Sequence, residues 1–373
     1  MQPPRLRLLC DSNPMCFGST TALLSVLDAL DAESWALSHG ITAELLDVDP
    51  AVHRVIHANV KSPAEVASAL AGVDVDAVLV VSNHSCLDLY LSMGLPLFYV
   101  DILYWMGGSK NHPFWQHAES TFAQRFPGIE DVALRATCPP RLVGPLIRRL
   151  PAPLRQREGT LVQLGGGRSK WVIPGSNSHY ARFMADCISD LKDLPPPLRM
   201  CSGSEAIQSI GGDHPIRERA ELSTLSHPAM MDVLSGSALY ITSPGLNAVF
   251  EGLYLRTPML FLPPQNATQV LQLSVYERMG LVSTGINLPD LIAGFPTAFE
   301  SLSEADLTAA VVAHLPSLAA PSCRRRIIEH IEQQRREWPS RQGARDAFAG
   351  YLGAPGGPDV AQAILKWWER LWT

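Results

Sequence analysis

The residues best able to do chemistry together lie between Ser243 and Gln269, in SPGLNAVFEGLYLRTPMLFLPPQNATQ. Gly245 follows a proline and has no Cβ, so a ligand can approach its backbone closely. Asn247 is read as the cap of the following helix, its side-chain oxygen accepting a free N–H of the first turn. The turn Ser243, Gly245, Leu246 and Asn247 would then offer N–H groups and a positive dipole end to a phosphate. Glu251 lies about a turn further on. A carboxylate there can accept hydrogen bonds from two vicinal hydroxyls, which is how acidic residues read a ribose. Gln265, Asn266 and Gln269 are read in the loop after the next strand and supply the donors and acceptors a sugar ring needs. The chemistry implied is binding of phosphate, ribose and hexose in that order.

These groups need a strand–helix–strand unit to hold them. Leu239–Thr242 and Met259–Leu262 are short, apolar strand sequences, and Pro263-Pro264 stops the second. Such a unit is a right-handed parallel crossover, so its polar loops fall at the carboxyl ends of the strands, where open parallel sheets bind ligands. Read without its polar groups, the same stretch is an ordinary βαβ unit with a surface Glu.

Gly245-Leu-Asn-Ala-Val-Phe-Glu251, then Thr257-Pro258 before an apolar strand, then Thr268-Gln269, resembles the nucleotide-sugar signature of two-domain GT-B glycosyltransferases. The types most similar are UDP-glycosyltransferases of natural-product pathways and MurG-like transferases. Their pattern is Gly-x-Gly-Thr-x-x-Glu, then Gly-x-Pro, then Asp-Gln. The resemblance implies that Glu251 holds the ribose and Gln269 the donor sugar. This chain departs from the pattern at Asn247 for a small residue, Thr257 for Gly and Thr268 for Asp; the last bears on the donor sugar. The fold implied is α/β: two Rossmann-like domains with parallel sheets facing across a cleft.

Other loops take places in that frame. Gly165-Gly166-Gly167 follow a strand at Thr160–Leu164 and let backbone wrap a phosphate. Glu221–His227 stands where the family holds the nucleobase through backbone groups, and only its place before the signature raises His227 above a surface or cap histidine. Near the N-terminus, Arg5–Cys10 is a strand and DSNPMCFGS a turn-rich loop; in the family Gly18 and Ser19 would approach the donor phosphates, and otherwise this is a plain βα turn. A base must take the proton of the acceptor hydroxyl. The family's first-loop His is missing here. Asp11, ending the first strand, is the first candidate and His84 the second, each with a capping or buried structural role as the alternative.

The remaining chain gives a helix at about Thr20–Leu37, a strand at Ile41–Asp47, a helix at Ser62–Leu70, and buried parallel-type strands at Asp76–Ser82 and Pro96–Val100. The aromatic, Gly-rich LYWMGGSKNHPFW lines an acceptor pocket or forms a lid or packing flap. Pro, Gly and Arg breaks between Arg141 and Gly159 mark a linker whose Arg residues read as a solvated face. We therefore expect residues 1–154 as an acceptor-binding domain and 155–357 as a nucleotide-sugar domain. In residues 358–373 the last helix, with Val360, Ile364, Trp368 and Leu371 on one stripe, crosses back to the first domain as in GT-B folds.

With 373 residues, 46% hydrophobic and 18% charged, the chain has the material for two cores. A net charge of -6 argues against nucleic-acid binding. Seven scattered Cys without a CxxC pair support neither a disulfide framework nor a zinc site, and point to the cytoplasm. No apolar run nears the roughly 20 residues of a membrane span, so stable membrane insertion is not expected. MQPPRLRLLC enters a strand at once, without a cleavage-type segment. No carboxylate pair of the metal-dependent type follows a strand. The expectation is a metal-independent, inverting transferase with no cofactor. It takes a UDP- or dTDP-linked sugar as co-substrate and a small-molecule acceptor, in natural-product biosynthesis. The alternatives are a nucleotide-sugar epimerase or hydrolase on the same fold, or a non-catalytic auxiliary binding protein.

Overall fold

The computed structural model describes residues 4–373 apart from 16, 153, 155 and 166–175. The chain divides into two compact units, Met1–Arg149 with Leu352–Thr373, and Leu150–Tyr351.

The first unit is a seven-stranded sheet: β1 (Leu6–Ser12), β2 (Ala32–Ser38), β3 (Arg54–His57), β4 (Ala77–Val81), β5 (Leu97–Asp101), β6 (Ser120–Gln124) and β7 (Arg141–Val143). Their order is β3-β2-β1-β4-β5-β6-β7, and every pairing is parallel. All five residues of β4 and all five of β5 are buried, because a parallel sheet is covered on both faces. Alternation along the strands feeds two cores. Leu8, Cys10, Leu79 and Val81 face one of them, together with helices Phe17–Leu27 and Gly357–Arg370. Leu9, Val78 and Val80 face the other, with Tyr90, Phe114 and Trp115.

The C-terminal helix belongs to this first unit. Val360, Ile364 and Trp368 pack into its core, Trp367 meets Phe98 edge to face at 5.2 Å, and the Trp368 indole N–H donates to the Pro4 carbonyl at 2.8 Å. Leu371 is 58% exposed, so the expected stripe ends a turn early; the helix stops at Arg370. Gly144 makes the return of the chain possible: a Cβ there would lie 1.8 Å from the Ala354 carbonyl oxygen.

Three expectations in this unit are corrected. The helix from Thr20 ends at Leu27, and Ala32–Ser38, read as helical, is β2. Its Ala, Glu and Leu favour helix, but pairing with β1 overrides a propensity worth only tenths of a kcal/mol per residue. Ile41–Asp47 is not a strand; a 3-10 turn Gly40–Thr42 and a short helix Ala43–Leu46 occupy it. Arg148 is not on a solvated face. It is buried and donates to both oxygens of Asp28, at 2.9 and 2.6 Å, and to Asp49.

The second unit is a five-stranded parallel sheet: β8 (Thr160–Gln163), β9 (Leu198–Cys201), β10 (Ala220–Ser223), β11 (Leu239–Thr242) and β12 (Met259–Phe261), in the order β10-β9-β8-β11-β12. Helix Pro321–Glu337 is pinned to it by Gln334, whose amide accepts from the Phe261 N–H at 2.7 Å and donates to the Phe261 carbonyl at 3.1 Å. Arg157 donates to Thr257 and to the Arg256 carbonyl, both at 3.0 Å. Among the described residues no helix is long and apolar enough to cross a membrane.

Removing the buried Arg148 cation leaves Asp28 and Asp49 facing each other without a counter-charge. We expect Arg148→Ala to cost about 3 kcal/mol, read as a lower denaturation midpoint of the first unit with the slope unchanged. A loss under about 0.5 kcal/mol, the size of an exposed pair, would contradict the assignment.

Candidate functional site

In both sheets the first strand of the unit lies between the second and the fourth. Loops leaving the first and fourth strands therefore turn away from each other at one carboxyl edge, opening a crevice there. The described residues singled out by the sequence lie at these two places, one in each unit.

In the second unit the crevice lies between β8 and β11. Gly165, just past β8, has φ +77°, a conformation that favours glycine. A Cβ there would stand 3.0 Å from Gln265 Nε2 and 3.3 Å from Ser243 Oγ. Gln265 Nε2 donates to the Leu164 carbonyl at 2.6 Å and contacts Ser243 Oγ at 3.2 Å, so one amide ties together the loops after β8, β11 and β12. Gly166 and Gly167 lie outside the described residues.

The helix after β11 runs from Leu246 to Tyr254 and its cap is Gly245, with no side-chain cap bond. This corrects the expected Asn247 cap. Asn247 is the second helical residue, and its buried Nδ2 has no partner among the described residues. Among the described residues the first-turn N–H groups thus meet no capping side chain, which leaves an N-terminus suited to an anion. Gln265 is in the loop after β12. Asn266 caps helix Ala267–Arg278 by accepting from the Gln269 N–H at 2.9 Å, so Gln269 is helical rather than in a loop. Gln269 Oε1 accepts from the Gln265 N–H at 2.9 Å, and its Nε2 lies nearest Gly245, 3.5 Å from where a Cβ would be.

Glu251 points inward and is 2% exposed. Its Oε1 is 2.8 Å from Nε2 of His227, the first residue of helix His227–Gly236. A carboxylate can only accept, so the ring nitrogen carries the proton. Tyr240, which feels the Glu251 charge, donates to Gln163 Oε1. The segment expected to hold a nucleobase through its backbone thus also sends a side chain to Glu251.

In the first unit the crevice lies between β1 and β4. Asp11, near the end of β1, has no exposed surface. Its carboxylate accepts from Asn83 Nδ2 at 2.8 and 2.9 Å and from the Tyr90 hydroxyl at 2.7 Å. Lys61 donates to Asn83 Oδ1 at 2.7 Å, which fixes the orientation of that amide. Burial pushes the Asp11 pKa up from 3.8 to about 6, against the opposing hydrogen bonds of Tyr90 and Asn83 and the charge of Lys61. Gly18 and Ser19 lie in the first turn of helix Phe17–Leu27 in this unit, Ser19 buried.

His84 follows β4 and keeps an exposed edge. Its Nε2 meets the buried Tyr99 hydroxyl, and its ring stacks on His112 at 4.0 Å. Desolvation on the packed side, then His112, then Lys61, pull its pKa from 6.5 down to about 4. Solvent at the open edge tempers the shift; its direction keeps the ring neutral at pH 7. Tyr104, Phe114 and Trp115 of the aromatic stretch are buried in the second core, so that part of it is packing.

Sequence reading missed Asn83 as the anchor of Asp11, as well as Tyr90, His112 and Tyr99. Only Asn83 carried a signal, a polar residue directly after a buried strand. Among the described residues no cluster of three or more His, Cys, Asp or Glu could hold a metal.

No protein-family model and no curated protein matches the sequence. Solved structures do. A UDP-glucosyltransferase from Polygonum tinctorium capable of glucosylating indoxyl superposes with a TM-score of 0.55 at 13% identity, covering 99% of this chain and 100% of that one. Os79 from O. sativa in complex with UDP gives 0.55 at 12%, covering 96% and 99%. The glycotransferase of kitacinnamycin gives 0.51 at 14%, covering 98% and 99%. The likeness spans nearly whole chains and defines the fold as GT-B.

The unfolded chain ionises Asp11 near 3.8 and the folded one near 6. Between those values the folded state holds more protons, so this group lowers stability as pH rises through the window and has no further effect above it. The full effect is about 3 kcal/mol at most. Denaturant midpoints at pH 4 and pH 7 should show a decline in the wild type that is absent in Asp11→Asn. An equal decline in both proteins would contradict the burial.

Proposed function

We propose that this protein is a glycosyltransferase that moves a sugar from a nucleoside-diphosphate donor to a small-molecule acceptor. The observation that carries the reading is the convergence of Gly165, Ser243, Gly245, Gln265 and Gln269 at the β8/β11 crevice. There they adjoin a helix N-terminus without a side-chain cap, and Glu251 lies further along that helix. The GT-B fold supports it. So do a UDP-glucosyltransferase and a complex with UDP among the similar structures.

In this reading the diphosphate lies against Gly165 and the first turn at Gly245–Asn247, the ribose diol meets Glu251, and the sugar meets Gln269. Of the two expected donors, UDP- and dTDP-linked, a diol at Glu251 favours the UDP-linked one, because the deoxyribose of dTDP has no 2′-hydroxyl. Transfer is inverting and needs no metal: the acceptor oxygen bonds to the anomeric carbon while the bond from that carbon to the diphosphate oxygen breaks. The electron pair leaves with the nucleoside diphosphate, whose charge the helix N–H groups balance. The acceptor proton passes to a base.

We assign that base to His84. The oxygens of Asp11 already accept three hydrogen bonds and have no exposed surface. His84 has an exposed edge and is neutral at pH 7. The saturated Asp11 also favours a second reading, an auxiliary protein that binds the nucleotide sugar without turnover.

A panel of UDP- and dTDP-sugars with small-molecule acceptors separates these readings. Transfer predicts nucleotide release only when acceptor is present. Release or isomerisation without acceptor points instead to a hydrolase or epimerase, and binding without turnover to the auxiliary reading. His84→Ala should lower kcat about a hundredfold or more while the Kd for UDP stays within about twofold. An unchanged kcat would remove His84 from the mechanism.

A further inference from the structure

We propose that His227 is a positioning residue for nucleotide recognition: it holds the Glu251 carboxylate so that the enzyme distinguishes a ribose from a 2′-deoxyribose. The inference rests on the nucleotide-sugar reading of the β8/β11 crevice and deepens it.

The geometry is specific. Glu251 is 2% exposed, and its Oε1 accepts from His227 Nε2 at 2.8 Å. His227 opens helix His227–Gly236, Glu251 sits in helix Leu246–Tyr254, and β11 lies between them in sequence, so the pair joins separate elements. The histidine side chain is 14% exposed, so the bond is largely shielded from competing water. A carboxylate bond of this kind does two things. It fixes the carboxylate torsion, which is otherwise broad and roughly two-fold. It also occupies Oε1, leaving the lone pairs of Oε2 for a ligand hydroxyl. A ligand diol then meets an acceptor already oriented, and the ordering cost is not incurred on binding. Without His227, Glu251 would be a shielded charge lacking its donor, free to turn towards any other partner or to take up a proton.

The effect should appear as lost selectivity rather than lost affinity alone. A histidine that merely supported the helix would weaken all ligands alike. A histidine that aims Glu251 matters only when the sugar hydroxyl is there to be read.

The test titrates UDP and 2′-deoxy-UDP into the full chain by calorimetry. The wild type should bind UDP about tenfold more tightly than 2′-deoxy-UDP, the worth of one charge-assisted hydrogen bond. His227→Leu should bring that ratio close to one. His227→Gln, which can present an N–H at a similar reach, should restore most of it. Should His227→Leu fail to fold, His227→Asn replaces it, since its shorter amide stops short of Oε1 and predicts the same loss. A ratio that stays near tenfold in the Leu or Asn variant overturns the inference while leaving the nucleotide reading intact. A wild type that binds neither ligand, or a ratio of one already in the wild type, overturns the inference together with the ribose role of Glu251.

Discussion

Strand order is the constraint on which the rest depends. Each unit places its first strand between its second and fourth, with every neighbour parallel. Parallel strands force each connection back over a face of the sheet, so all loops that follow strands lie on one edge. Where the order reverses, two of these loops diverge and leave room. In the second unit the loops are those of Gly165 and Ser243–Gly245, and in the first those of Asp11 and Asn83–His84. Residues distant in sequence become neighbours because the sheet leaves them no other place.

Polar groups at the two edges are used differently. Asp11 is closed off: buried and triply hydrogen-bonded, with Lys61 donating to the Asn83 that holds it. That arrangement makes the β1/β4 edge rigid and leaves His84, stacked on His112 and exposed on one side, as the group open to chemistry. The second unit does the reverse. Its Gln265 amide stitches three loops, while among the described residues the first turn at Gly245 has no side-chain cap and Asn247 Nδ2 has no partner. A buried amide left unpaired costs about 1–3 kcal/mol, which a ligand accepting from it would recover.

Local chemistry was legible in the sequence; long-range partnership was not. The strand, Pro-Gly turn and helix around Glu251 could be read because turn and strand residues act over a few positions. The cap was misplaced by two residues, since Gly245 serves without a side chain and Asn247 turns inward. Glu251 could be placed on the helix after that turn, but its bond to His227, 24 positions away, follows from packing of two helices that no local pattern encodes. Asp11 was expected as a candidate base, and its bond from Tyr90, 79 positions on, could not be read locally. β2 was hidden by helix-favouring residues, while β3 and β6 were missed because they are short and only partly apolar.

The account stands on the nucleotide lying with its diphosphate at Gly165 and Gly245 and its sugar diol at Glu251. Titrating the wild-type protein with UDP, UMP and uridine by calorimetry tests this most directly. The account predicts that UDP binds most tightly, UMP more weakly and uridine weakest of all, since each phosphate removed gives up contacts with backbone N–H groups. Uridine binding as tightly as UDP, or no heat from UDP at millimolar concentration, would contradict it.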